Sequence, residues 1–155
     1  MHKRFATVVA QLDPSFRQLL AMRPSKPLAL PPEVPTAGIY LLSEGRRHLY
    51  VGRSNRVRKR LRNHCRPSAT YKMAAFAFRL AREATGRLKA TYKPEGSRAD
   101  LMKDPAFVHA FDAAKARIRE MDVRFLAEAD PVRQAILEVY VAVVLRTPYN
   151  DFDTH

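Results

Sequence analysis

Glu138 is the only charged residue between Arg133 and Arg146, and its neighbours are Ile136, Leu137, Val139, Tyr140, Val141 and Val143. A carboxylate in such company raises the free energy unless it is paired or holds a metal ion. Magnesium uses one or two protein carboxylates and completes its shell with water and phosphate oxygens, so one glutamate can serve one divalent ion, Mg or Mn. A buried salt bridge to an arginine such as Arg60 is the competing account. Arg60 carries a planar, permanently charged fork suited to a phosphate that gathers charge as a bond breaks; otherwise it is a solvated surface group. His64 stands one helical turn further along on the same side, and its intrinsic pKa near neutrality suits it to take or relay a proton. Arg53 is likewise placed to meet phosphate.

Two tyrosines join this set through a hairpin. Residues 37–43 and 47–52 read as strands around Glu44-Gly45-Arg46, with the glycine available for positive φ. A turn centred on Gly45 puts Tyr40 directly opposite Tyr50, both phenols on one face. Ordinary strand packing would also account for either tyrosine.

Other elements must hold these residues. Ser54 or Asn55 begins a helix running to about Cys65, with Val57, Leu61 and Cys65 as its buried stripe and Arg56, Arg60 and His64 beside it. Residues 4–22 have helical apolar spacing, with Pro14 expected to break or restart the helix. Pro24, Pro27, Pro31, Pro32 and Pro35 make 24–35 an extended connector. Two further helices are expected at about 71–85 and 104–120, separated by a mobile surface loop containing Gly86, Pro94 and Gly96. Val123, Phe125 and Leu126 form a third strand. Asp130-Pro131 then caps and starts a closing helix, which runs to about Arg146 and which Pro148 ends. Its apolar stretch, 135–145, reads as a buried helix.

At 155 residues the chain is the size of one domain, and 46% apolar with 28% charged residues is a globular composition. The lone cysteine, Cys65, reads as a small core residue; it cannot form an internal disulfide, and no Cys/His cluster has zinc spacing. The N-terminus lacks a cleavage pattern, and no apolar stretch approaches the roughly 20 residues of a spanning helix. These features point to a cytoplasmic protein with no membrane role. The formal charge of +13 is local: residues 46–66 contain nine Lys and Arg and no acid, whereas 121–155 are net −3. A basic patch of this kind is the footprint of phosphate-backbone binding, with Arg53, Arg56, Lys59 and Arg62 as its contacts; a merely solvated basic face is the alternative.

Gly38-Ile39-Tyr40, Tyr50-Val51-Gly52, Arg60 with His64 on the next helix, Glu138 on the last helix and Asn150 just beyond it form an ordered set that resembles the GIY-YIG nuclease family. The likeness covers residues 36–66 and 121–150, 61 of 155, with Val51 in place of the usual isoleucine. Residues 67–120 do not align and read as a helical insertion. The resemblance implies an α/β (α+β) fold, a small three-stranded antiparallel sheet flanked by helices, in a single domain over 1–155. In that domain 1–35 is an N-terminal helix and connector, and 36–66 with 121–150 form the catalytic core. It implies DNA endonuclease activity with one divalent metal on Glu138, Arg60 on the scissile phosphate and Tyr40, beside Tyr50, as general base. It also implies structural support from Gly38, Gly52 and Asn150, the last of which would otherwise be a turn residue.

A phenol of ordinary pKa is a poor base at neutral pH, so the residues leave the choice between Tyr40 and His64 open. Two other functions compete: a non-catalytic nucleic-acid-binding module on the same scaffold, and a structural RNA-binding protein. Neither gives a reason for Glu138. The kind of DNA, branched, single- or double-stranded, is not fixed by the sequence, nor is a homodimer or a protein partner that supplies specificity.

Overall fold

The apolar spacing from Phe5 to Leu20 produces one unbroken helix, α1 (Lys3–Ala21), with Pro14 inside it. The expected break does not occur. Pro14 is exposed, and Leu12, Phe16, Leu19 and Leu20 on either side pack on one core and keep both halves in register despite the missing amide. The computed structural model describes residues 1–87 and 96–153. Their contacts divide the chain into two units, Met1–Arg60 with Met121–His155, and Leu61–Glu120.

In the first unit, β1 (Gly38–Glu44) and β2 (Arg47–Ser54) form the hairpin, with Gly45 at φ 60° in its turn. The register corrects the expected one. Tyr40 pairs with Gly52, and Tyr50 pairs with Leu42. A turn offset of one residue and a β-bulge between Leu42 and Ser43 each move the pairing by one. One shift alone would flip the strand; the two together restore the facing, so Tyr40 and Tyr50 still share a side as diagonal neighbours. Strand β3 (Asp122–Ala127) pairs antiparallel with β1, giving the order β2-β1-β3. The protein is therefore mixed helix and strand, a three-stranded antiparallel sheet flanked by helices.

Ile39, Leu41, Val51 and Leu126 on one face of this sheet pack with Leu19 of α1 and with Leu137, Val141 and Ala142 of the closing helix. That closing helix starts where the sequence put it. The Asp130 carboxylate accepts from the Arg133 amide at 2.8 Å and Pro131 takes the first position. The helix is numbered after the second unit's three, as α6 (Pro131–Leu145). It ends at Arg146 in the left-handed conformation, φ 51°, two residues before Pro148. Its burial is one-sided. Val132, Val139, Val143 and Val144 are exposed, which corrects the reading of 135–145 as a buried helix: α6 lies on the sheet by one stripe only. The proline connector is not extended throughout, as was expected, but folds through two turns closed by the Ala29 amide on the Lys26 carbonyl at 3.0 Å and the Val34 amide on the Pro31 carbonyl at 3.3 Å. Ser25 pairs with Val123 of β3, and the Arg58 guanidinium donates to the carbonyls of Leu30 and Pro31 at 3.3 and 2.7 Å.

Helix α2 (Val57–Cys65) begins in the first unit, with Val57, Leu61 and Cys65 fully buried as expected. Its last turn belongs to the second unit, with α3 (Ala75–Thr85), α4 (Arg98–Leu101) and α5 (Pro105–Arg119). Phe78 and Phe107 meet at 5.0 Å between ring centroids, with Phe111 beside them, and join α3 to α5. Lys115 is buried but satisfied, donating to the carbonyls of Pro67 and Ala69 at 2.7 and 3.0 Å. The unit takes up the stretch read as an insertion. Its short helix α4, capped by the Ser97 hydroxyl on the Asp100 amide, was not expected. The Pro94 portion of the expected loop lies outside the described residues. Among those residues no helix is long and apolar enough to cross a membrane.

Candidate active site

The two glycines of the hairpin tripeptides permit close approach. A Cβ on Gly52 would overlap the hydroxyl and ring of Tyr40 on the neighbouring strand, and one on Gly38 would overlap the Leu126 carbonyl of β3. Gly52 therefore lets the Tyr40 ring lie flat across β2. Tyr40 is fully buried and its ring centroid is 6.3 Å from that of Tyr50, tilted by 45°. The Arg60 guanidinium, reaching from the first turns of α2, hydrogen-bonds both phenols, and the phenols bond each other. Two tyrosines and one arginine thus form a closed network on the sheet face opposite Ile39, Leu41 and Val51.

Burial holds the Tyr40 phenol well above its ordinary pKa, Tyr50 and Glu138 add to the effect, and Arg60 opposes it. Tyr50 is raised by the same burial, with Arg60 opposing and Glu138 reinforcing. At neutral pH both are phenols rather than phenolates.

Glu138 acts electrostatically on both phenols from α6, and its carboxylate pairs with Arg53: Nε lies 3.0 Å from Oε2, with the side chains 45% and 19% exposed. A salt bridge to an arginine was one of the two accounts of this carboxylate, but the partner is Arg53 rather than Arg60. Arg53 follows Val51 by two residues and so shares its face of the sheet, the face α6 covers. Burial raises the Glu138 pKa, and Arg53 pulls it back.

Asn150 holds the outer edge of β2. The Val51 amide donates to Asn150 Oδ1 at 2.9 Å, and Asn150 Nδ2 donates back to the Val51 carbonyl at 2.7 Å. Thr147 donates to the same Oδ1 at 2.7 Å, and the Tyr149 amide donates to the Leu49 carbonyl at 3.2 Å. One side-chain amide thus occupies the place of a neighbouring strand beside the Tyr50-Val51-Gly52 tripeptide.

His64 is placed differently. Its ring is buried and packs edge-on against Phe76 of the second unit, 6.3 Å between centroids and 84° between planes. Cys65 is buried too, its thiol pushed up to about 11 by that burial against the pull of Arg119, as suits a packing residue. Arg56, just before α2, and Lys59 and Arg62 on it are exposed. Sequence reasoning missed Gln134, which is buried on α6 and donates to Asn55 Oδ1 at 3.1 Å and to the Glu128 carbonyl at 2.6 Å. It ties the helix of Glu138 to the loop that launches Arg60. A glutamine in the first turn of an apolar helix was the available signal. Thr147, three residues before Asn150, was missed for the same reason: its role appears only once the chain folds back.

Compared with protein-family models, with characterised proteins and with solved structures, the chain matches none.

Proposed function

We propose that this chain is a metal-dependent DNA endonuclease that hydrolyses phosphodiester bonds in the manner of the GIY-YIG nucleases its tripeptides resemble. The observation that carries this reading is the Arg60 guanidinium bonded to both Tyr40 and Tyr50, with Glu138 acting on the same pair. Packing alone does not require a cation between two phenols. A phosphate site would use one, because the remaining N–H groups of an arginine held in this way can meet phosphate oxygens in a fixed geometry.

The donor set fits magnesium or manganese. Glu138 is one partly exposed carboxylate, and no group of three or more His, Cys, Asp or Glu stands together among the described residues. An ion that keeps most of its water needs no more, whereas zinc would. When bound, the metal would polarise the phosphate and stabilise the leaving oxygen. Arg60 would hold the phosphate and fix both hydroxyls. Tyr40 would first lose its own proton to solvent, against the burial that keeps it a phenol in the free protein, and as the phenolate would accept the proton of the attacking water at Oη. The rate of cleavage should therefore rise with pH through and beyond neutrality.

One observation favours a second reading, a nucleic-acid-binding module without catalysis: the Arg53 salt bridge satisfies Glu138 with no metal at all. Cleavage of supercoiled plasmid and of labelled single-stranded and branched DNA, with Mg or Mn against EDTA, separates the two. Metal-dependent cutting by the wild type, lost in Glu138→Ala and Arg60→Ala proteins that keep their fold, is the expected result. Tight binding without cutting under every condition would select the binding module.

A further inference from the structure

The Arg53–Glu138 pair has a property that neither residue has alone. The oxygen that Arg53 holds, Glu138 Oε2, belongs to the carboxylate that the proposed metal must take. Arg53 is 45% exposed near the end of β2, three positions before Arg56, where the acid-free basic run begins to turn into α2. Its guanidinium therefore has two partners of the same sign, a carboxylate inside the site and a phosphate outside it.

We infer that Arg53 is a positioning residue with two stations: it closes the metal site by pairing with Glu138 in the free protein, and opens it by moving to a DNA phosphate. The inference rests on the nuclease reading. Metal and DNA then help one another bind, since each removes the same internal contact, and the coupling is reciprocal. A divalent ion on the carboxylate beside an undisplaced guanidinium suffers direct repulsion, and the two cations draw on the same negative charge, so each weakens the other's hold on Glu138. The strained alternative of a permanently unpaired, half-buried carboxylate is also avoided. Arg53 is not among the residues of the buried core, and nearly half of its side chain is exposed.

The test is binding of Mn(II) alone, without DNA, followed by electron paramagnetic resonance of the free ion, for wild type, Arg53→Gln, Arg53→Lys and Glu138→Gln. Circular dichroism checks that each is folded, and Arg53→Ala replaces the glutamine variant if that one is not. Removal of the guanidinium should tighten Mn(II) binding by about tenfold, the lysine variant should stay near the wild type, and Glu138→Gln should abolish binding. Equal affinity in wild type and Arg53→Gln, lost in Glu138→Gln, would overturn the two-station role while leaving Glu138 as the metal ligand. Binding that survives Glu138→Gln, or no binding by any variant, would overturn the metal reading and this inference with it. A second readout is the effect of a short non-cleavable DNA duplex with a phosphorothioate backbone. It should tighten Mn(II) binding more in the wild type than in Arg53→Gln, and an equal effect in both would again remove the switch.

Discussion

Tyr40 couples the site to the stability of the fold through a single proton. Its folded pKa is raised by burial, so the folded chain retains the proton in a range where the unfolded chain, with an ordinary phenol near pKa 10, releases it. The contribution is complete below about pH 10 and is lost as pH rises above it. Unfolding free energy measured in denaturant should fall by about 1.4 kcal/mol per pH unit for each proton so retained. Tyr40→Phe should flatten that decline; an unchanged slope would show that Tyr40 ionises freely in the fold. Gly52 offers a second test at this scale. Gly52→Ala places a methyl group into the Tyr40 ring, and overpacking of this sort costs about 1–3 kcal/mol. It should also depress cleavage beyond what the lost stability explains, since the ring that must move is the one bonded to Arg60. The types of the candidate residues were legible in the sequence: Tyr40, Tyr50 and Arg60 bond one another, and Glu138 acts electrostatically on both phenols. Their partners were not. Arg53 and Glu138 are separated by 85 positions, and no local pattern announces a contact at that distance.

Among the elements, the hairpin and the closing helix followed from short-range chemistry, whereas their details depended on tertiary packing. Asp130-Pro131 set the start of α6 because capping is local. The bulge after Leu42 left no mark in the residue types, so the hairpin register was misread while the facing of its tyrosines survived. Pro14 was expected to interrupt α1 and does not, since the core holds both halves of the helix. The exposed valines of α6 could not be told from buried ones by hydrophobicity alone. Asn150 makes an element-scale prediction. Asn150→Ala removes both bonds to Val51 and the acceptor of Thr147, and should cost about 1–3 kcal/mol in chemical denaturation. Hydrogen exchange should show the loss at the Val51 amide first; protection there unchanged from wild type would remove Asn150 from its bracing role.

Charge acts on the scale of the whole molecule. The first unit contains 15 Lys and Arg against nine Asp and Glu, and the second contains 13 against six, but nine of the 13 net positive charges fall in the single run 46–66, which passes from the first unit into the second. Affinity for duplex DNA should fall steeply with salt, and each lysine or arginine that meets a phosphate should contribute about 0.9 to the slope of log affinity against log salt concentration. Replacing Arg56, Lys59 and Arg62 together by glutamine should make that slope shallower by up to about three units. An identical slope would mean that the exposed face of α2 is solvated and idle, with phosphate contacts elsewhere. A different consequence follows from the ends of the sheet. Ser25 pairs with Val123 near the start of β3, and Asn150 with Tyr149 lies along the middle of β2, so both outer strands already have company over part of their length. An uncovered strand is a template on which a second copy can polymerise. With part of each side already taken, copies of this chain held at high local concentration on one polyanion have less free edge through which to stack on one another.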